Sequence, residues 1–186
     1  MIGTITAPHT LLASTVLVEG RSFDERIRLF GHDLVLNGTG VRAVAWFKGY
    51  AAGLYLGNRT QQANAALAMA GPKRLRLQML QDVPAAEFTK AFEKGVTRNT
   101  PAAQLPALRE RMAQFEGQIT ALGQVRKGDI VDLDLDPGRG LAFAVNGTLR
   151  GPHIAGTDLY AALLRTFLGT RPYDENLKAG LLGRAT

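Results

Sequence analysis

An arginine stands inside LNGTGVRAVAWFKGYAAGLYL, residues 36 to 56, a stretch that is otherwise apolar nearly throughout. Arg42 and Lys48 are its only charges. A guanidinium taken out of water is costly unless it is paired, hydrated in a cavity or set against an anionic ligand. On a single uninterrupted strand Arg42, Val44, Trp46, Lys48 and Tyr50 share one face. The residues alone leave two readings open. Arg42 can anchor a ligand, or it can cap a strand end against a carboxylate or stack on Trp46.

Other patterns carry less chemistry. Gly38-Thr39-Gly40-Val41-Arg42-Ala43 has the spacing of a dinucleotide fingerprint, but a strand follows it where a helix is required. Positions 58 to 60 also hold Asn, Arg and Thr where an acidic residue is needed. A turn is the expectation there. Asp132, Asp134 and Asp136 have the spacing that opens a calcium loop, yet Pro137 and Phe143 occupy the sixth and twelfth positions in place of glycine and glutamate. Their alternation reads as the solvent face of a strand. His9, His32 and His153 are far apart, so no metal site is expected, and no nucleophile elbow or phosphate loop occurs.

The elements that must position Arg42 belong to a chain of 186 residues, 46% apolar and 20% charged. That describes one soluble globular domain able to bury roughly 70% of its extended-chain surface. Cysteine is absent, which excludes disulfides, thiolate catalysis and cysteine-ligated metals. The net charge of +6 comes from scattered basic residues with no interleaved aromatics, so no nucleic-acid partner is expected. No apolar run reaches the roughly 18 residues of a membrane span. No Lys or Arg precedes Arg21, which argues against an intact secretory signal. Residues 1–16 read as an extension or leading segment and 17–186 as the domain. A monomer is favoured, and the compartment stays open between cytoplasm and periplasm.

Patterning divides the chain into strands, helices, strands and helices, an α+β order. STVLVEG and RIRLFGHDLVLNG read as strands, with a hairpin turn at Asn37-Gly38. Val41 to Leu56 is strand-like, its glycines at 49 and 53 marking a bulge or close backbone approach. A short helix in TQQANAALAMA and an alternating strand KRLRLQML follow. Two amphipathic helices come next, one with Phe88, Ala91, Phe92 and Gly95 on a face, the other with Leu105, Leu108, Met112 and Phe115. Antiparallel strands with turns at Pro137-Gly138 and Asn146-Gly147 return, and TDLYAALLRTFLG and YDENLKAGLL close the chain as helices.

The segments LNGTGVRA, GLYL at 53–56, QDVPAAEFTKAFEKG, VNGTLRG and LLRTFLGTRPYDENLKAGLLG together resemble the chalcone isomerase superfamily, in its bacterial chalcone-isomerase-like branch. The resemblance implies an open-faced β-sandwich, a large antiparallel sheet with helices over one face and a ligand cleft between. In the enzymes of this family a matching arginine stabilises negative charge as a chalcone closes to a flavanone, which for one good donor is worth about 10²–10³ in rate. Arg42 matches that arginine, and Thr166 matches a substrate-contacting hydroxyl. The enzymes' remaining polar positions fall on Tyr50, Phe88 and Gly95, so a tyrosine hydroxyl and an asparagine are lost. A second branch binds fatty acids, its arginine meeting the carboxylate with help from a tyrosine near Tyr50, and such a contact is strong and directional.

These residues lead to a chalcone-isomerase-like protein that binds a small, mostly apolar or aromatic anion of fatty-acid type. The resemblance implies a cleft lined by Arg42, Tyr50, Phe88, Gly95 and Thr166, with no cofactor or metal. The alternative is a true chalcone–flavanone isomerase with Arg42 and Thr166 as catalytic residues.

Overall fold

Runs of alternating apolar residues build the scaffold, and glycines and bulges shape it. The computed structural model describes residues 14–45 and 47–184. Of the expected leading segment, residues 1–13 lie outside the described residues, and Thr15 already opens a strand. β1 (Thr15–Val18) and β2 (Arg21–Asp24) form a hairpin of their own. β3 (Arg26–Leu29), β4 (His32–Val44), β5 (Phe47–Leu56) and β6 (Lys73–Met79) follow, with the short helix α1 (Ala63–Ala68) before β6. β7 (Val83–Pro84) leads into the helices α2 (Ala85–Asn99) and α3 (Leu105–Thr120), after which β8 (Gln124–Val125) pairs back onto β7. β9 (Ile130–Asp136), β10 (Gly140–Val145) and β11 (Thr148–Leu149) precede α4 (Thr157–Leu168) and α5 (Glu175–Leu181).

Seven strands form one antiparallel sheet in the order β11-β10-β9-β6-β5-β4-β3. The expected α+β architecture is therefore the observed one. Leu75, Leu77 and Met79 alternate on one face of β6 and are buried beneath the helices, with Phe92 and Val96 of α2, Phe115 of α3 and most of α4. Each such side chain contributes roughly 1.5–3 kcal/mol on leaving water. No helix among the described residues is long and apolar enough to cross a membrane.

Turn chemistry places the hairpins, with one exception. Asn146-Gly147 turns as expected, both residues having positive φ (52° and 76°), which suits the twist of the flanking strands. The turn expected at Asn37-Gly38 does not form. These residues sit inside β4 at a register shift, and the chain reverses instead at Phe30-Gly31. Asn37 is buried, its Nδ2 donating to the carbonyls of Thr60 (3.0 Å) and Leu181 (2.8 Å), while its Oδ1 accepts from the Thr60 amide (2.7 Å). Gly38 has no side chain because α5 lies directly on it: a Cβ there would collide with the Gly180 carbonyl oxygen. The GTG segment is thus neither a fingerprint nor a turn but a landing strip for a helix.

The stretch from Val41 to Leu56 is also not one strand. It reverses after Val44, with Ala45 at φ 51°. Trp46, the possible stacking partner of Arg42, lies outside the described residues. The single-strand parity is replaced by cross-strand pairing: Arg42 is opposite Tyr50 and Ala43 opposite Lys48, which leaves Gly49 as the extra residue of a bulge. The expected bulge at Gly49 is present. At Gly53 the Phe23 ring comes close, 2.7 Å from where a Cβ would stand.

The aspartates of β9 overturn another expectation. Asp132 and Asp134 are buried, not solvent-facing. Arg76 and Arg74 stand directly opposite them on β6. Arg74 grips Asp134 through two bonds of 2.7 and 2.6 Å, and Arg76 grips Asp132 through two of 2.7 and 2.9 Å. The β1–β2 hairpin lies over the same face, where Gln78 donates to the Ser22 carbonyl and Phe23 packs with Leu36 and Tyr55. Alternation in β9 separates two buried faces, one apolar and one ionic. Burial pushes the Asp134 carboxyl up against the pull of Arg74, whereas the bonds to Asp132 hold Arg76 above its ordinary value.

Breaking such a buried pair strands a charge. Arg76→Ala is expected to lower the urea-unfolding free energy by about 3–5 kcal/mol, because Asp132 stays behind. The double replacement Arg76→Met with Asp132→Leu should recover most of that loss. A double variant no more stable than Arg76→Ala would show that the ladder adds net stability.

Candidate functional site

Between the helix-covered face of the sheet and α2, α3 and α4 lies a cavity of about 200 Å³. It runs across the strands. Arg42 and Tyr50 line it from the β4–β5 hairpin, Leu77 from β6, Leu133 from β9 and Phe143 from β10, with Phe88, Phe92 and Phe115 contributed by the helices. The wall is almost wholly carbon. Its mouth is where the lining becomes exposed, at Val44 (56%), Phe47 (38%) and the exposed Glu87.

The bulge at Gly49 is what brings Arg42 and Tyr50 together at this mouth, facing each other across the hairpin. The Arg42 Nη1 donates to its neighbour's carbonyl at Ala43 (3.1 Å) and to the Asp174 carboxylate (3.3 Å). Among the described residues its Nε and Nη2 have no hydrogen-bond partner. Asp174 is itself committed: as the N-cap of α5 it accepts from the amides of Asn176 (2.9 Å) and Leu177 (3.0 Å) through its other oxygen. The structural reading of Arg42 is therefore right in part, since a carboxylate does hold it. One edge of the guanidinium is held and the donors of the other are uncommitted.

Tyr50 is buried, stacked beside Phe88 with ring centroids 6.5 Å apart. Its hydroxyl has no hydrogen-bond partner among the described residues. Burial pushes its ionisation well up, with Tyr173 adding to the effect and Arg42 opposing it, so it stays a neutral donor. Phe88 lines the cavity and brings carbon, not a hydroxyl.

Gly95 and Thr166 stand behind the wall rather than in it. The Thr166 side chain is fully buried and its hydroxyl donates to the Leu163 carbonyl (2.6 Å). Gly95 makes room for Tyr173, whose ring edge lies 2.7 Å from where a Cβ would be. Tyr173 lines the cavity, packs edge-on against Phe167 at 5.0 Å and donates to the Ala91 carbonyl at 2.8 Å. Burial pushes it up to about 12, against a contact from Thr166 that lowers it. The space over Gly95 is thus filled by a tyrosine from the segment before α5.

Tyr173 and Asp174 escaped the sequence reading. The only signal was Asp174 at a helix start, which announces a cap but not a partner 132 residues away. Among the described residues no group of three or more His, Asp or Glu is placed to hold a metal. What the arrangement can do is seat an amphipathic anion, its charge at Arg42 and Tyr50 and its apolar part inside.

The comparisons with known proteins bear on the fold and the family. The family model described as Chalcone isomerase-like matches residues 15–183. No curated protein is matched. Among solved structures, the fatty-acid binding protein AtFAP1 of Arabidopsis thaliana superposes with a TM-score of 0.70 at 18% identity, over 91% of this chain and 96% of that one. The likeness in structure is one of fold. Because the family model spans nearly the whole chain, from β1 through α5, the protein belongs to the chalcone isomerase-like family.

Proposed function

We infer that this protein binds a small, mostly apolar carboxylic acid of fatty-acid type, with the carboxylate against Arg42 and Tyr50 and the chain in the cavity. One observation carries the reading: a half-held guanidinium and an uncommitted phenol sit side by side at the mouth of a carbon-lined cavity. A charge-assisted bond from each is stronger in that setting than in water. The shared fold with a protein named as fatty-acid binding supports it. Closure of a chalcone has less behind it, because Phe88 offers no proton and the Thr166 hydroxyl is spent on a backbone carbonyl.

Arg42→Ala is expected to weaken binding of a fatty-acid probe by about 10- to 100-fold, the range for a lost bond to a charged group. The partly exposed pair with Asp174 should cost less than about 1 kcal/mol of stability. Calorimetric titration and urea unfolding of the same variant separate the two roles, and a stability loss with unchanged affinity would make Arg42 structural. Tyr50→Phe should weaken binding roughly tenfold with little change in unfolding.

The pH profile follows from the raised phenols. Tyr50 and Tyr173 hold their protons throughout the neutral range, so affinity should be level from about pH 6 to 9 and fall below about pH 5 as the ligand carboxylate protonates. A loss of affinity centred at about pH 10, where an ordinary tyrosine ionises, would show that the phenol is not held above its ordinary value. Absorbance decay of 2′-hydroxychalcone should match the spontaneous rate. Decay abolished by Arg42→Ala would instead favour the isomerase.

A further inference from the structure

We propose that the cavity selects its ligand by length, with the rings of Phe92, Phe115 and Phe143 as the stop for an acyl chain. The proposal rests on the carboxylic-acid reading above and specifies the class of acid.

Volume is the first ground. The space is about 200 Å³, smaller than the roughly 300–1,000 Å³ of sites that take drug-sized ligands. A space that small limits how much of an acyl chain it can take.

The second ground is what closes the far end. The mouth residues Val44 and Phe47 stand on β4 and β5, whereas Phe143 stands on β10, beyond β6 and β9 in the sheet. There Phe115 of α3 lies edge-on to Phe92 of α2 at 5.0 Å and edge-on to Phe143 of β10 at 5.4 Å. This chain of three rings joins the helices to the sheet across the path of an entering chain. All three are at most 4% exposed. Edge-to-face rings packed from both sides hold their positions, because each gains from its neighbour and a rotation loses contacts on both. A longer acyl chain must therefore bend back or leave its end in water at the mouth.

The test is the affinity of hexanoate, octanoate, decanoate, dodecanoate and hexadecanoate for the whole chain by titration calorimetry. Up to the limit each added methylene should tighten binding about fourfold, the equivalent of ~0.8 kcal/mol per buried CH₂. Once the chain reaches the rings, within this series, the affinity should level off. In Phe143→Ala the plateau should move to longer acids. Phe143→Leu, which keeps most of the core, should move it less and in the same direction. Affinity that climbs steadily through hexadecanoate in the unaltered protein would overturn the length limit while leaving the carboxylic-acid reading intact. A plateau unmoved in both folded variants would overturn the ring stop. Failure of every acid to bind would overturn the carboxylic-acid reading itself, and the length limit with it.

Discussion

The last helix rests on the bare backbone of an edge-side strand, and the site depends on that contact. Gly38 and Gly40 of β4 and Gly180 of α5 meet with no side chain between them. Asn37 ties the same place down through the carbonyls of Thr60 and Leu181. A buried amide with its donors and acceptor satisfied stabilises one docking geometry and penalises others. With α5 fixed there, its N-cap Asp174 falls beside Arg42 and the preceding Tyr173 falls into the space above Gly95. The polar end of the cavity is thus assembled by backbone packing some distance away from it.

The two faces of the sheet solve the problem of buried charge differently. On the face under the β1–β2 hairpin, each of two arginines grips an aspartate through Nε and Nη2, and both carboxylates are buried in that grip. On the helix-covered face, Arg42 is held by one long contact to a carboxylate whose other oxygen is already engaged. A guanidinium has five donors in a fixed fork, so partial pairing restrains its direction without using its capacity. That difference separates the bidentate arginines of β6 from Arg42, whose Nε and Nη2 are uncommitted among the described residues.

Phe88 brings carbon to the cavity wall where the resemblance to the isomerases implies a tyrosine hydroxyl. The space over Gly95 is occupied by the Tyr173 ring from another segment. Tyr173 turns its hydroxyl toward the Ala91 carbonyl, which stiffens the wall. The result is a lining with few groups able to take part in proton transfer and much surface able to hold an acyl chain.

Much of this was legible in the sequence. Alternation in KRLRLQML, helical spacing at Phe92 and Phe115, and the Asn146-Gly147 turn each depend on near neighbours, and each formed as read. Arg42 was conspicuous because an arginine in an apolar run needs a reason, and Tyr50 was named with it. The tertiary structure decided the rest. Asn37-Gly38 carries the local signature of a turn, but a helix from the far end of the chain required glycine there for clearance. Asp132 and Asp134 alternate as a solvent face does, but two arginines 56 and 60 residues away made that face an interior. Local patterns fix which residues share a face; only long-range packing decides what each face meets, because the partner's free energy of contact is absent from the segment itself.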